Sequence, residues 1–587
     1  MKRSRAVKLV PAVLAGALVL AGCANPYQSA VIEDSEITVA WNDVMDEFND
    51  SSVTGNYVSN GLVAYLTGAS FAYYDDTPEL VRAEEFGTFE KVSDDPLTVT
   101  YEIKEGAVWS DGVPIDEADL LLAWVTIFGF GKTGDGAEAV YPFQHANPRA
   151  DLSTQVPELG DRSITIVYDK PYVDWELQFD LGLAAHGTVQ LAYPDLSAED
   201  AKAQFIAAVQ NNDQEWLAPV GEAWSTGYQF TNTPDNPLVM LSSGPYIVEE
   251  LVEDSYVTLV ANPLYTWGPS PKYERVTIRE IADPTAAVQA VENGEVQIAS
   301  GQPTADVLQL VDELTNADYA TGVGGAWEHV DLTVNNGGPF DPATYGGDAE
   351  KALKVRQAFL LSIPRQQIID TIVMPLNPDA EVRQSFMIAP GFPGYDQMVA
   401  ENGSSFYAET DIEQAKALLA EAGVSTPVEV GFWYPEGNAR RAQQFELISA
   451  SAALAGFDVV DESEPNWEFT GLEMNPHDAV IFAWAATSLA VTGSDQYFAA
   501  GMPSNWTGYD NPEVAQLLKD LEVELDPAKQ VEIQIEVEKR LWADAYGTTI
   551  FQHPELTWWD TGVTGVSTNP LVPYFFWNFW DWKPLAG

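Results

Sequence analysis

The chain is 587 residues long and carries a net charge of −60, from 28 basic and 88 acidic side chains. A surface of that sign repels nucleic acid and anionic headgroups, which excludes nucleic acid as a partner. Length and a hydrophobic content of 46% support several cored domains, and a single cysteine leaves no internal disulfide to hold them.

From the N-terminus, Lys2, Arg3, Arg5 and Lys8 precede an apolar run from Leu9 to Leu20. Leu20-Ala21-Gly22-Cys23 follows, with the chain's one cysteine at its end. The pattern predicts a secretory signal over residues 1–22 with a lipobox-like cleavage site, after which the Cys23 thiol carries diacylglycerol. No later apolar run approaches the ~18 residues of a membrane span. The mature chain is therefore expected at the extracytoplasmic face, held by its N-terminal lipid alone. Residues 23–35 read as a polar tether.

Beyond the tether, period-2 and β-branched runs predict strands over 37–41, 97–103, 164–168, 256–261, 275–281 and 479–484. Asp111-Gly112-Val113-Pro114 is turn chemistry, and Asp116 is placed to cap the helix that follows. Thr410 and Glu413 have the spacing of a capping box, with Gly423 as the stop. Asn511-Pro512 and Asp526-Pro527 each open a further helix, the second reaching about Ala545. Strands and helices alternate without a repeat, which argues mixed α/β.

Several of these blocks resemble extracytoplasmic binding proteins of peptide-type ABC importers, the dipeptide, oligopeptide and nickel group known as family 5. VTYEIKEGAVWSDGVPIDEADLLLAW at 99–124 resembles the family's strand, W-S-D-G-x-P turn and helix. SGPYIVEELVEDSYVTLVANPLYTWG at 243–268 is similar to its G-P-Y strand and following hairpin. Residues 275–298, 355–372, 411–423 and 509–551 resemble four later blocks, in order. The resemblance implies a type II periplasmic-binding-protein-like fold, with two large lobes and an extra subdomain around a central cleft. It divides the chain into a discontinuous first domain (36–62, 185–282 and 551–587), a second (63–184) and a third (283–550). The hinge is expected near Arg279 to Asp283 and Thr548 to His553.

Nothing in the blocks is reactive. Gly129-Phe130-Gly131-Lys132-Thr133-Gly134 spells G-x-G-x-x-G, but a predicted helix precedes it where a strand is required, so it reads as a surface loop. His145, His186, His329, His477 and His553 include no i, i+4 pair and no H-E-x-x-H. There is no G-x-S-x-G elbow, and no local pattern nominates a glycosidase carboxylate pair. The chain reads as a non-enzyme without cofactor or metal. The acids are spread along the sequence, so the charge reads as solubility rather than as a preference for cationic ligands.

Trp327, Trp433 and Trp484 each sit at a strand-to-loop transition and are candidates for a flat apolar cleft wall. Resemblance adds the rest. Ser243 and Gly244, Asn335 and Asn336, and Asn56 and Asn60 lie in segments that resemble family cleft borders. Peptide binders of the family carry an acid just after the tryptophan corresponding to Trp484, to hold the peptide amine. Here Ala485-Ala486-Thr487-Ser488 follows, and Asp495 is the next acid. Asp495 is therefore the candidate amine partner, and Arg383 the candidate for a carboxylate end. The expected ligand is a peptide, with an oligosaccharide as the alternative, nickel disfavoured, and a secreted glycan hydrolase as the rival from another class. A membrane permease is the expected protein partner, and the chain is expected to act as a monomer.

Overall fold

A computed structural model describes residues 30–130, 142–301, 303–464, 477–502 and 504–585. The predicted signal, Cys23, most of the tether and residues 131–134 of the glycine-rich run lie outside the described residues.

Ten strands form one mixed sheet. In spatial order they are Phe457–Asp461, Val428–Trp433, Ala479–Trp484, Ala317–Leu332, Gly547–Asp560, Ile298–Gly301, Ile32–Trp41, Tyr273–Glu280, Tyr256–Ala261 and Tyr246–Val252. The middle of this sheet joins its two halves. Ala317–Leu332 and Gly547–Asp560 pair antiparallel over most of their length, with a register break between Val323 and Trp327. That break holds Gly324 and Gly325, residues without a side chain to oppose a bend. Gly547–Asp560 also pairs with Ile298–Gly301, which pairs in turn with Ile32–Trp41.

There are three main cores, two of them against this sheet. One gathers Val330, Leu332, Phe359, Ile481 and Leu541 beneath the helices Ala349–Ser362, Ile412–Ala422 and Ala439–Ala455. A second packs Val39, Leu62, Leu259 and Ile278 against Phe575, Phe576 and Trp582 from the C-terminal segment. The third, around Tyr101, Leu121, Trp124 and Ile166, covers a separate four-stranded sheet built from residues 87–167. Among the described residues no helix is long and apolar enough to cross a membrane.

Local chemistry accounts for the helix starts. Asp116 accepts from Ala118 N, and Asp119 closes a capping box over Glu117–Ile127. Asn511 and Asp526 cap helices that begin at Pro512 and Pro527. One expected cap is corrected. The helix Ile412–Ala422 is capped by Asp411, which accepts from Gln414 N. Thr410 instead donates to Ile363 O, so the expected box with Glu413 does not form.

Candidate functional site

Between the two halves of the crossing sheet lies a cavity of about 1690 Å³. One wall is aromatic. Trp484 ends the strand Ala479–Trp484 and stacks on Tyr497 at 4.0 Å, with Trp506 at 5.1 Å and Phe482 at 5.1 Å. Facing them from the other half, Trp41 stacks on Tyr574 at 5.7 Å.

The remaining wall is acidic. Among the described lining residues eleven are Asp or Glu, against two arginines and no lysine. Asp43, Asp46 and Asp50 come from the segment after the first strand, and Glu280 and Asp283 from the end of Tyr273–Glu280 and just beyond it. Burial first, then the charges of Asp43 and Asp254, push the Glu280 carboxyl above its ordinary range. Carboxylates distant in sequence thus meet on this wall in the fold.

The two arginines belong to a buried node. Glu328 has no exposed surface and accepts from Arg441 Nε at 3.0 Å, Arg441 Nη2 at 3.2 Å and Gln444 Nε2 at 2.8 Å. His553 Nε2 lies 2.8 Å from its other oxygen, and Arg440 Nη2 3.5 Å away. Burial alone would raise the Glu328 carboxyl. Arg441, Arg440 and His553 outweigh it and hold the group well below the usual range. Burial and Arg440 push His553 down to about 4, so its ring is neutral at pH 7.

This architecture and cleft coincide with a sequence match. The model of the family described as bacterial extracellular solute-binding proteins, family 5 (middle) matches residues 77–513. The chain belongs to that family. A lipoprotein of Mycobacterium tuberculosis is 24% identical over 544 residues, covering 91% of this chain and 90% of its own. The oligopeptide-binding protein OppA of the same species is 22% identical, over 90% of this chain and 82% of its own. The crystallised periplasmic EDTA-binding protein EppA superposes with a TM-score of 0.74 at 22% identity, covering 94% of this chain and 96% of the other. The fold is thus the type II periplasmic-binding-protein arrangement, and family 5 members are the solute-binding parts of ABC importers rather than enzymes.

Within this binding protein, Asn56 and Trp484 line the cleft. The other expected site residues do not. Asn60 is buried, and its Oδ1 accepts from Asp46 N and Glu47 N, which fixes the loop before it. Ser243 Oγ accepts from Ala69 N, and Gly244 N donates to Thr67 O. A Cβ on Gly244 would meet Thr67 C at 2.5 Å, so this turn is a packing contact. Trp433 is buried against Val480 and Phe482. Trp327 lies under the Arg383 guanidinium, 4.6 Å from its ring centroid. Asn336 donates to Asp478 Oδ1 at 2.9 Å beside a smaller surface depression, and the exposed Asn335 stands next to it.

Two charge assignments are corrected. Arg383 is buried and donates through all three of its nitrogens to the carbonyls of Ser385 and Phe386 and to Gln552 Oε1, so it is engaged inside the protein and does not line the cleft. Asp495 is buried and gripped by Arg149 through both terminal nitrogens, so its carboxylate is already neutralised within the protein. Sequence reasoning missed Trp41, Tyr574, Arg440 and Glu555. Consecutive arginines at 440 and 441 in so acidic a chain were the one local signal available.

Proposed function

We propose that this protein captures extracellular peptides in the interlobe cleft and delivers them to a membrane permease, acting as a monomer. The observation that carries the reading is the cavity itself. At about 1690 Å³ it exceeds the ~300–1,000 Å³ typical of sites for single small molecules. An extended ligand of several residues suits that length, with aromatic faces to receive variable side chains. The relative named OppA is an oligopeptide-binding protein, which supports the same class. Hinge bending at the crossing strands closes the halves over the ligand. Native mass spectrometry of freshly purified protein, followed by calorimetry with the peptides identified, tests this. Retained peptide masses are expected; retained oligosaccharide, or identified peptides that fail to rebind, would overturn the reading.

The N-terminal pattern and the relative named as a lipoprotein support anchoring through Cys23. Cys23→Ser is expected to move the protein from the membrane fraction to the soluble one. Unchanged retention of the variant would mean that another element holds it.

A further inference from the structure

One carboxyl in the cleft stands apart from the rest. Glu555 lies on Gly547–Asp560 and lines the cavity, two residues along the same strand face from His553. Its Oε1 has no solvent access and no hydrogen-bond partner. No ion pair to it is found among the described residues. Across the sheet it pairs with Gly322, and a Cβ on nearby Gly324 would meet Oε1 at 2.1 Å. Glycine at 324 leaves room for the Glu555 side chain as it stands, and among the described residues no basic side chain pairs with that carboxyl. Glu555 as a whole is half-buried, but a carboxyl oxygen closed off from water without a hydrogen-bond partner is costly, and such a group invites a ligand partner.

The surroundings say what that partner is. Arg440 and Arg441 are engaged by Glu328, which lies on the neighbouring strand Ala317–Leu332 opposite Phe551. From the C-terminal segment, Tyr574 lines the same cavity as Glu555, and its ring stacks on Trp41. Aromatic faces beside a carboxylate attract cations and gain nothing from anions. Ten further acids line the same cavity.

We infer that Glu555 receives an ammonium or guanidinium group of the ligand, so that the cleft selects cationic solutes over neutral and anionic ones. This rests on the proposed reading of the cleft as a peptide site. Burial, the only cause acting on the Glu555 carboxyl, pushes it up to about 8. At pH 7 the free protein therefore holds that proton, and a cation must displace it. Binding should release up to about one proton. Apparent affinity should rise with pH by up to about tenfold per unit until pH 8, then level off.

The test is calorimetry on the full chain with three probes: an N-acetylated tripeptide containing arginine, the same acetylated peptide with neutral citrulline in its place, and spermidine. Each is measured against the parent and Glu555→Gln, from pH 6 to 9, in two buffers of different ionisation enthalpy. The parent should favour the arginine peptide by about tenfold or more, with proton release. Glu555→Gln should lose that preference and the proton release while binding the citrulline peptide as before. Equal binding of both peptides by the parent, or binding without proton release, would sink the inference and leave the peptide reading intact. Spermidine bound by the parent and lost in the variant, with neither peptide bound, would instead sink the peptide reading and keep the cation site. Binding of none of the three would remove both. The proton count on the parent needs no variant, so a misfolded Glu555→Gln does not shield the inference.

Discussion

Glu328 shows how this protein uses its few basic residues. Its carboxylate sits at full burial between two strands and a helix, and two arginines and a histidine compensate. A buried pair adds little when intact, but removing one partner strands the other charge at a cost of about 3–5 kcal/mol. Glu328→Gln removes the carboxylate that Arg440 and Arg441 share. Chemical denaturation at pH 7 should register a loss of that size in the transition of the half built around residues 327–551. The sign with pH follows from the depressed carboxyl. Its stabilisation is complete above the unfolded value of about 4.3 and fades as pH falls below it. The gap between parent and variant should therefore narrow only in strong acid. A variant as stable as the parent at pH 7 would show that the arginines find other partners.

At the scale of elements, capping and turn chemistry were legible because they depend on neighbours within four residues. Asp116, Asn511-Pro512, Asp526-Pro527 and Gly423 sit where their chemistry places them. The strand at 97–103 was legible from alternation, and those at 256–261 and 479–484 from short β-branched and apolar runs. The long pair Ala317–Leu332 and Gly547–Asp560 was not. Its middle reads Thr321-Gly322-Val323-Gly324-Gly325, a composition that speaks for a loop, and only pairing with a strand more than 200 residues away makes it sheet. Site residues failed for the same reason. Alternation tells that two side chains share a face but not which face meets the cleft. Trp484 turned toward the cavity while Trp433 turned into a core. Asp495 and Arg383 looked free because their partners, Arg149 and Gln552, come from distant segments.

Across the whole molecule, the subdomain built on residues 87–167 touches the far half through more than one polar contact. Besides Arg149 and Asp495, Lys170 Nζ meets Glu522 at 2.5 Å, and Asp174 accepts from Thr492 N at 2.8 Å. In the proposed hinge mechanism these contacts span the two sides that part for a ligand to enter, so they would favour the closed arrangement. Asp495→Asn leaves Arg149 buried without its counterion and should shift the population toward open forms. Small-angle scattering should then give a larger radius of gyration for the ligand-free variant than for the parent, with compaction restored only at higher ligand concentration. Identical curves for the two proteins, with and without ligand, would place the closing force elsewhere.

The acidic wall also governs timing. A concave surface of one sign, backed by a low-dielectric interior, gathers field lines at its mouth and draws in solutes of opposite sign before any contact forms. Cationic solutes would then reach this cleft about 10 to 10³ times faster than neutral ones of equal size in dilute medium, with the gain fading as salt shortens the reach of the field to about 8 Å. For an extracellular solute-binding protein, that would make the ionic strength of the surroundings a control on the rate of capture.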